Sequence, residues 1–142
     1  MFTVASTLGK LVEVRIQTPI TAAELDDMKA AVFQIFSRLR APFVSITDLR
    51  SATVFPAELA DQVSAFLKRD APNLMRGAFL IGTGAVFNMQ LDRVLREAAS
   101  ERRRSFRARA DLEPWLREAL TPDEQRRLAA FLDQGETRAS PR

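Results

Sequence analysis

Apolar and polar residues alternate over Phe2-Thr3-Val4-Ala5-Ser6-Thr7 and again over Leu11-Val12-Glu13-Val14-Arg15-Ile16-Gln17, the two-residue period of half-buried strands. Leu8-Gly9-Lys10 between them reads as a turn, so the chain opens on a β-hairpin with Val12, Val14 and Ile16 on one face. Pro19 ends the hairpin. Thr21 and Glu24 then stand at the spacing of a capping box, in which each side chain accepts the other residue's free backbone N–H. From there Leu25, Met28, Val32, Ile35, Phe36 and Leu39 form one apolar stripe of a helix that Ala41-Pro42 terminates. Phe33 lies outside the stripe.

Phe43-Val44-Ser45-Ile46-Thr47-Asp48 reads as a short strand, and residues 49–55 as a loop. Pro56 fits the first turn of a second helix running to about Lys68, with Leu59, Val63, Phe66 and Leu67 inward and Glu58, Asp61, Gln62 and Lys68 in water. Asp70-Ala71-Pro72-Asn73 breaks that pattern. Residues 75–82 then read as a strand buried on both faces, as in parallel sheets. Thr83-Gly84 leads into a third helix that buries Phe87, Leu91, Val94, Leu95 and Ala98. Residues 104–110 alternate once more, with Phe106, Ala108 and Ala110 inward and Ser105, Arg107 and Arg109 outward, which predicts a last strand at a sheet edge. Asp111 is placed to cap a fourth helix carrying Trp115, Leu116 and Leu120, and Thr121-Pro122-Asp123-Glu124 opens a fifth that buries Leu128, Phe131 and Leu132. The order β-β-α-β-α-β-α-β-α-α predicts a small α/β fold, a mixed and mostly parallel sheet with helices packed on it. One domain spans residues 1–134, and the polar stretch 135–142 is expected to be a flexible tail.

A length of 142 residues suits that single domain, and 46% hydrophobic with 27% charged residues suits a soluble one. Histidine, cysteine and tyrosine are all absent, which excludes Ser-His and Cys-His catalysis, thiol chemistry, disulfides and the usual zinc and haem ligand sets. No catalytic constellation, cofactor or metal site is implied, and a non-enzymatic binding module is the reading that remains. Lys+Arg 21 against Asp+Glu 18 gives +3, nearly all of the positive charge being arginine, because the only lysines are Lys10, Lys29 and Lys68. Arg102-Arg103-Arg104 with Arg107 and Arg109 is the densest run. Since Phe106 faces inward, the run reads as a guarded strand edge and not as a nucleic-acid surface. Gly82-Thr83-Gly84 sits where a phosphate loop would, but position 87 is Phe87 and no Gly-Lys-Ser/Thr follows, so it reads as a strand-to-helix turn. With neither a signal-peptide pattern nor a long apolar run, a cytoplasmic chain without a membrane span is expected.

The element order resembles the STAS domain and its SpoIIAA-like superfamily. The local likeness is carried by Val44-Ser45-Ile46-Thr47-Asp48-Leu49-Arg50, similar to that family's apolar strand ending in Asp-Leu, with Phe55-Pro56 opening the next helix. Residues 106–116, from Phe106 to Trp115-Leu116, look like the strand, acidic cap and helical Trp-Leu near the end of many stand-alone members. The resemblance covers about residues 8 to 120 and leaves the last helix as an addition. It implies a regulatory or scaffolding module that docks a protein partner, or a second copy of itself, through the loop and helix start around residues 50–57. The family's phosphorylated hydroxyl at the start of the second helix has no counterpart in Phe55-Pro56-Ala57-Glu58. Ser51, earlier in the same loop beside Arg50 and a helix N-terminus, is the phosphorylation candidate, against the commoner role of a turn serine.

The partner-binding candidates are therefore Arg50, Ser51, Thr53 and Phe55 in that loop, joined by Phe33 and Met89, apolar residues that the helical stripes do not bury. Phe33, Phe55 and Met89 either form an interface or lie under the additional C-terminal helix. Structural similarity of the superfamily to CRAL-TRIO domains implies an alternative, a carrier of a small apolar or lipid ligand in an internal cavity.

Overall fold

Two strands, β1 (Phe2–Ala5) and β2 (Leu11–Ile16), pair antiparallel around a turn in which Gly9 takes φ 59°, a left-handed conformation that only glycine adopts without strain. This computed structural model describes residues 1–39, 42–53, 57–70, 73–98 and 101–139, less the side chains at 36, 58, 59, 70 and 137–139. The sequence readings at Phe36, Ala41, Phe55, Pro56, Glu58, Leu59, Ala71 and Pro72 lie outside the described residues. Helix α1 (Ala22–Leu39) starts at the expected capping box, Thr21 Oγ1 accepting the Glu24 N–H at 3.1 Å and Glu24 Oε1 the Thr21 N–H at 3.3 Å. It leads to β3 (Phe43–Leu49), α2 (Ala57–Asp70), β4 (Leu74–Ile81), α3 (Ala85–Ala98) and β5 (Arg103–Phe106).

The five strands lie in the order β1-β2-β3-β4-β5, and every pairing after the first is parallel. Each parallel step moves to the neighbouring strand in the same direction, so right-handed crossovers place α1, α2 and α3 on one face. That face is the larger core, in which Val12, Val14, Ile16, Leu49 and Phe79 of the strands meet Leu25, Met28, Leu67, Phe87 and Leu91. The opposite face carries Leu11, Val44, Ile46, Ala78 and Leu80 and would be open without the last two helices. Helices α4 (Arg109–Arg117) and α5 (Pro122–Ala139) cover it with Leu112, Leu116, Leu128, Phe131 and Leu132.

Helix α5 is also held by charge. Glu13 and Arg15 alternate with valines in β2 as water-facing residues would, yet they are 2% and 7% exposed because α5 lies over them. Arg127 pairs with Glu13 through Nε at 2.8 Å and Nη2 at 2.7 Å, and Lys10 Nζ donates to Glu124 at 2.7 Å. The helix continues to Ala139, so its last turns include Gly135, which is buried, where a flexible tail was expected from 135. Short-range polarity suggested a tail; the contacts that retain this segment come from the sheet.

Glu124 serves two ends at once. It completes a second capping box with Thr121 and accepts both the backbone N–H and the ammonium of Lys10. Burial pushes its carboxyl up, but the bonds from Lys10 and Thr121 outweigh this and hold it at about 2 instead of the ordinary 4.5. A depressed acid contributes stability that is fully present above its unfolded value and lost as the pH falls through the folded one. Urea unfolding should therefore show stability falling from about pH 4.5 to about pH 2, and Glu124→Gln should be less stable at pH 7 with a shallower acid limb. An acid limb of unchanged slope would refute that role for Glu124.

The last strand is shorter than its alternation suggested. Ala108 and Ala110 are exposed and not inward-facing, and Arg109 is the first residue of α4. The α4 N-cap is Ala108 with no side-chain bond, so Asp111 does not cap it. What starts the helix early is Arg109, whose guanidinium reaches Glu113, Asp133, Glu136 and the Ala129 carbonyl and ties α4 to α5. Phe106 is half-buried against Trp115, ring centroids 5.5 Å apart, and Arg76 and Arg104 stack on that indole at 5.1 and 5.0 Å. Among the described residues no helix is long and apolar enough to cross a membrane.

Candidate functional site

At the carboxyl ends of parallel strands the chain must turn outward into helices, which makes this edge the usual place for binding loops in open α/β sheets. Here the loops after β2, β3, β4 and β5 converge. Thr53 joins the loop after β3 to the loop after β2, its N–H donating to Thr18 Oγ1 at 2.7 Å with the two hydroxyls 3.0 Å apart. Gly82 lets β4 pass close to β3, since a Cβ there would lie 2.8 Å from the Arg50 carbonyl oxygen. Arg50, Gly82, Thr83, Ala85, Asn88 and Arg107 line an open crevice of about 480 Å³ between these loops and the start of α3.

The base of the crevice is fixed by a buried ion cluster. Asp48, 3% exposed, accepts Arg15 Nε at 3.1 Å and is chelated by its neighbour's guanidinium, Arg50 Nε and Nη2 each at 3.0 Å. Both arginines extend on to α5, Arg15 to the Phe131 carbonyl at 2.6 Å and Arg50 to the Leu132 carbonyl at 3.0 Å. Arg15 also lies 4.1 Å over the Phe131 ring. Burial raises the Asp48 carboxyl, yet the hydrogen bonds from Arg50 and Arg15 hold it below the usual carboxylate range. This cluster thus pairs a buried carboxylate with two guanidiniums where a lone carboxylate would be costly to bury. It also spends most of the hydrogen-bonding capacity of Arg50 on the fold.

Arg50, Ser51 and Thr53 thus lie together, Thr53 exposed, Ser51 half-buried and Arg50 mostly turned toward α5. Phe55, in the same loop, is outside the described residues. Met89 is 73% exposed on α3, with Val86 of the same helix at 63%. Phe33, 63% exposed, is at a distance, in an open groove between α1 and α2 with Lys29, Phe66, Arg69 and Asn73. Helix α5 packs on the opposite face of the sheet, so it covers neither Phe33 nor Met89.

Arg107, outward as its alternation implied but read only as part of a guarded strand edge, is exposed and has no ionic partner among the described residues, and sequence reasoning passed over Asn88, whose Nδ2 donates to the Gly82 carbonyl at 3.1 Å. Asn88 interrupts the apolar stripe of α3 at a buried position, a signal that was available. It also passed over two adjoining voids under α2. One of about 50 Å³ and one of about 80 Å³ share Ile16, Met28, Thr47, Val63 and Phe79. Their size accommodates a ring or a short chain, well below the roughly 300–1,000 Å³ of pockets for drug-sized ligands.

No family model, curated protein or solved structure matches the chain.

Proposed function

We propose that the chain is a non-enzymatic regulatory or scaffolding module of the STAS and SpoIIAA-like kind, which docks a protein partner at the carboxyl edge of its sheet. The observation that carries this reading is the convergence of Arg50, Arg107 and the α3 N-terminus around one open crevice, with Val86 and Met89 exposed on the adjoining helix. Such a surface fits a segment that brings both a negative charge and apolar side chains. Arg107 and the N-terminal end of the α3 dipole attract the charge, and Val86 and Met89 take the apolar contact. Ser51, next to Arg50 in the chain, is where added phosphate would bring negative charge beside that guanidinium.

The test is affinity purification from the native host with the wild-type chain, Met89→Asp and Arg107→Glu in parallel. A partner retained by the wild type and lost by both variants, each with an unchanged melting temperature, is the expected result. Equal retention by all three would place the interface elsewhere, and the same comparison with Phe55→Asp then reports on the loop itself.

A further inference from the structure

Strand β3 is central, and the side chains it turns toward α2 are Phe43, Ser45, Thr47 and Leu49. Large apolar residues normally fill such positions, because interiors pack close to crystal density. Here two short hydroxyl side chains stand in mid-strand, and the helix opposite offers Ala60 beside Val63. Small residues on both sides leave the two voids, lined chiefly by apolar residues such as Ile16, Met28, Phe79 and Phe87, with Gln90 at the first and the buried Arg103 at the second. Thr47 borders both of them and is 8% exposed, and neither its hydroxyl nor that of Ser45 has a hydrogen-bond partner among the described residues. A threonine in a buried position whose hydroxyl bonds no protein group has a hydrogen bond to offer to whatever occupies the voids beside it.

We infer that this chamber is a binding site for a small, mainly apolar molecule, of one ring or a short branched chain, that carries a single hydroxyl or carbonyl for Thr47. Apolar walls supply the affinity and the hydroxyl sets the orientation, the usual division of labour in a ligand pocket. Met28 stands in the wall common to both voids, and its flexible thioether adapts to an occupant. This site shares no lining residue with the crevice at the carboxyl edge and stands independently of it.

Phenol and benzene are the probes, titrated calorimetrically into the wild-type chain, Ala60→Leu and Thr47→Val. The wild type should bind both saturably, phenol more tightly. Ala60→Leu fills the first void, so it should keep or raise the melting temperature and bind neither probe; Ala60→Val, a smaller fill, serves if the leucine does not fold. Thr47→Val should weaken phenol roughly fivefold, the worth of one net hydrogen bond, and leave benzene unchanged. Absence of saturable binding by the wild type, or undiminished binding by a folded Ala60 variant, overturns the site. Equal loss of both probes in Thr47→Val overturns the role of the hydroxyl.

Discussion

Replacing Asp48 with alanine is expected to cost the fold about 3–5 kcal/mol, because two guanidiniums would be left in a buried cluster without their anion. The side chains of Arg15 and Arg50 are 8% and 15% exposed, too little for water to replace the carboxylate. Against a total stability of roughly 5–15 kcal/mol for a domain, this is a severe loss. Urea denaturation at pH 7 should show the midpoint displaced with little change in slope. Asp48→Asn separates charge from shape, since it keeps one acceptor for Arg50 but not the negative charge, and should fall between wild type and Asp48→Ala. A loss below about 1 kcal/mol would mean that the cluster is solvated and behaves as a surface pair.

Gly135→Ala is expected to destabilise by about 2–3 kcal/mol, against the rule that alanine in a helix interior is better than glycine by about 1 kcal/mol. A Cβ at position 135 would overlap Arg50 Nη2 and Asp48 Oδ2, and neither group has another place to go while both hold the cluster together. The glycine therefore serves close approach of α5 to the end of β3. A double-mutant cycle makes the cause explicit: in an Asp48→Ala background, the penalty for Gly135→Ala should fall by more than half. A Gly135→Ala variant as stable as the wild type would show that α5 does not press on the cluster.

Much of the architecture was legible because it is written in local patterns. The hairpin, the capping boxes at Thr21 and Thr121, and the alternation of strands with helices follow from periodicity and from hydrogen bonds between residues three apart. Reading failed where a local pattern had a distant cause. Glu13 and Arg15 look like the wet face of a strand, and Arg109 like the outer row of an edge. Each is claimed instead by α5, in the case of Glu13 by an arginine 114 residues along the chain. Ala108 and Ala110 continued an alternation that has no partner strand to pair with. At the site, Arg50, Ser51 and Thr53 were visible from their place after an apolar strand, whereas the place of Arg107 in the crevice, Asn88 and the chamber bordered by Thr47 were not. Their meaning depends on which loops and helices meet.

By itself the sequence determined the kind of elements, their order, most of their boundaries and the exclusion of histidine and cysteine chemistry, since these depend on residue type and short-range spacing. Only the tertiary structure decided which face of the sheet each helix covers, and that the charges of β2 and β3 are buried in pairs. It alone drew the tail into a helix and left a hollow beside two hydroxyls. Burial is a property of what lies across the sheet, and the dielectric environment of a side chain is set by those neighbours and not by its own position in the chain.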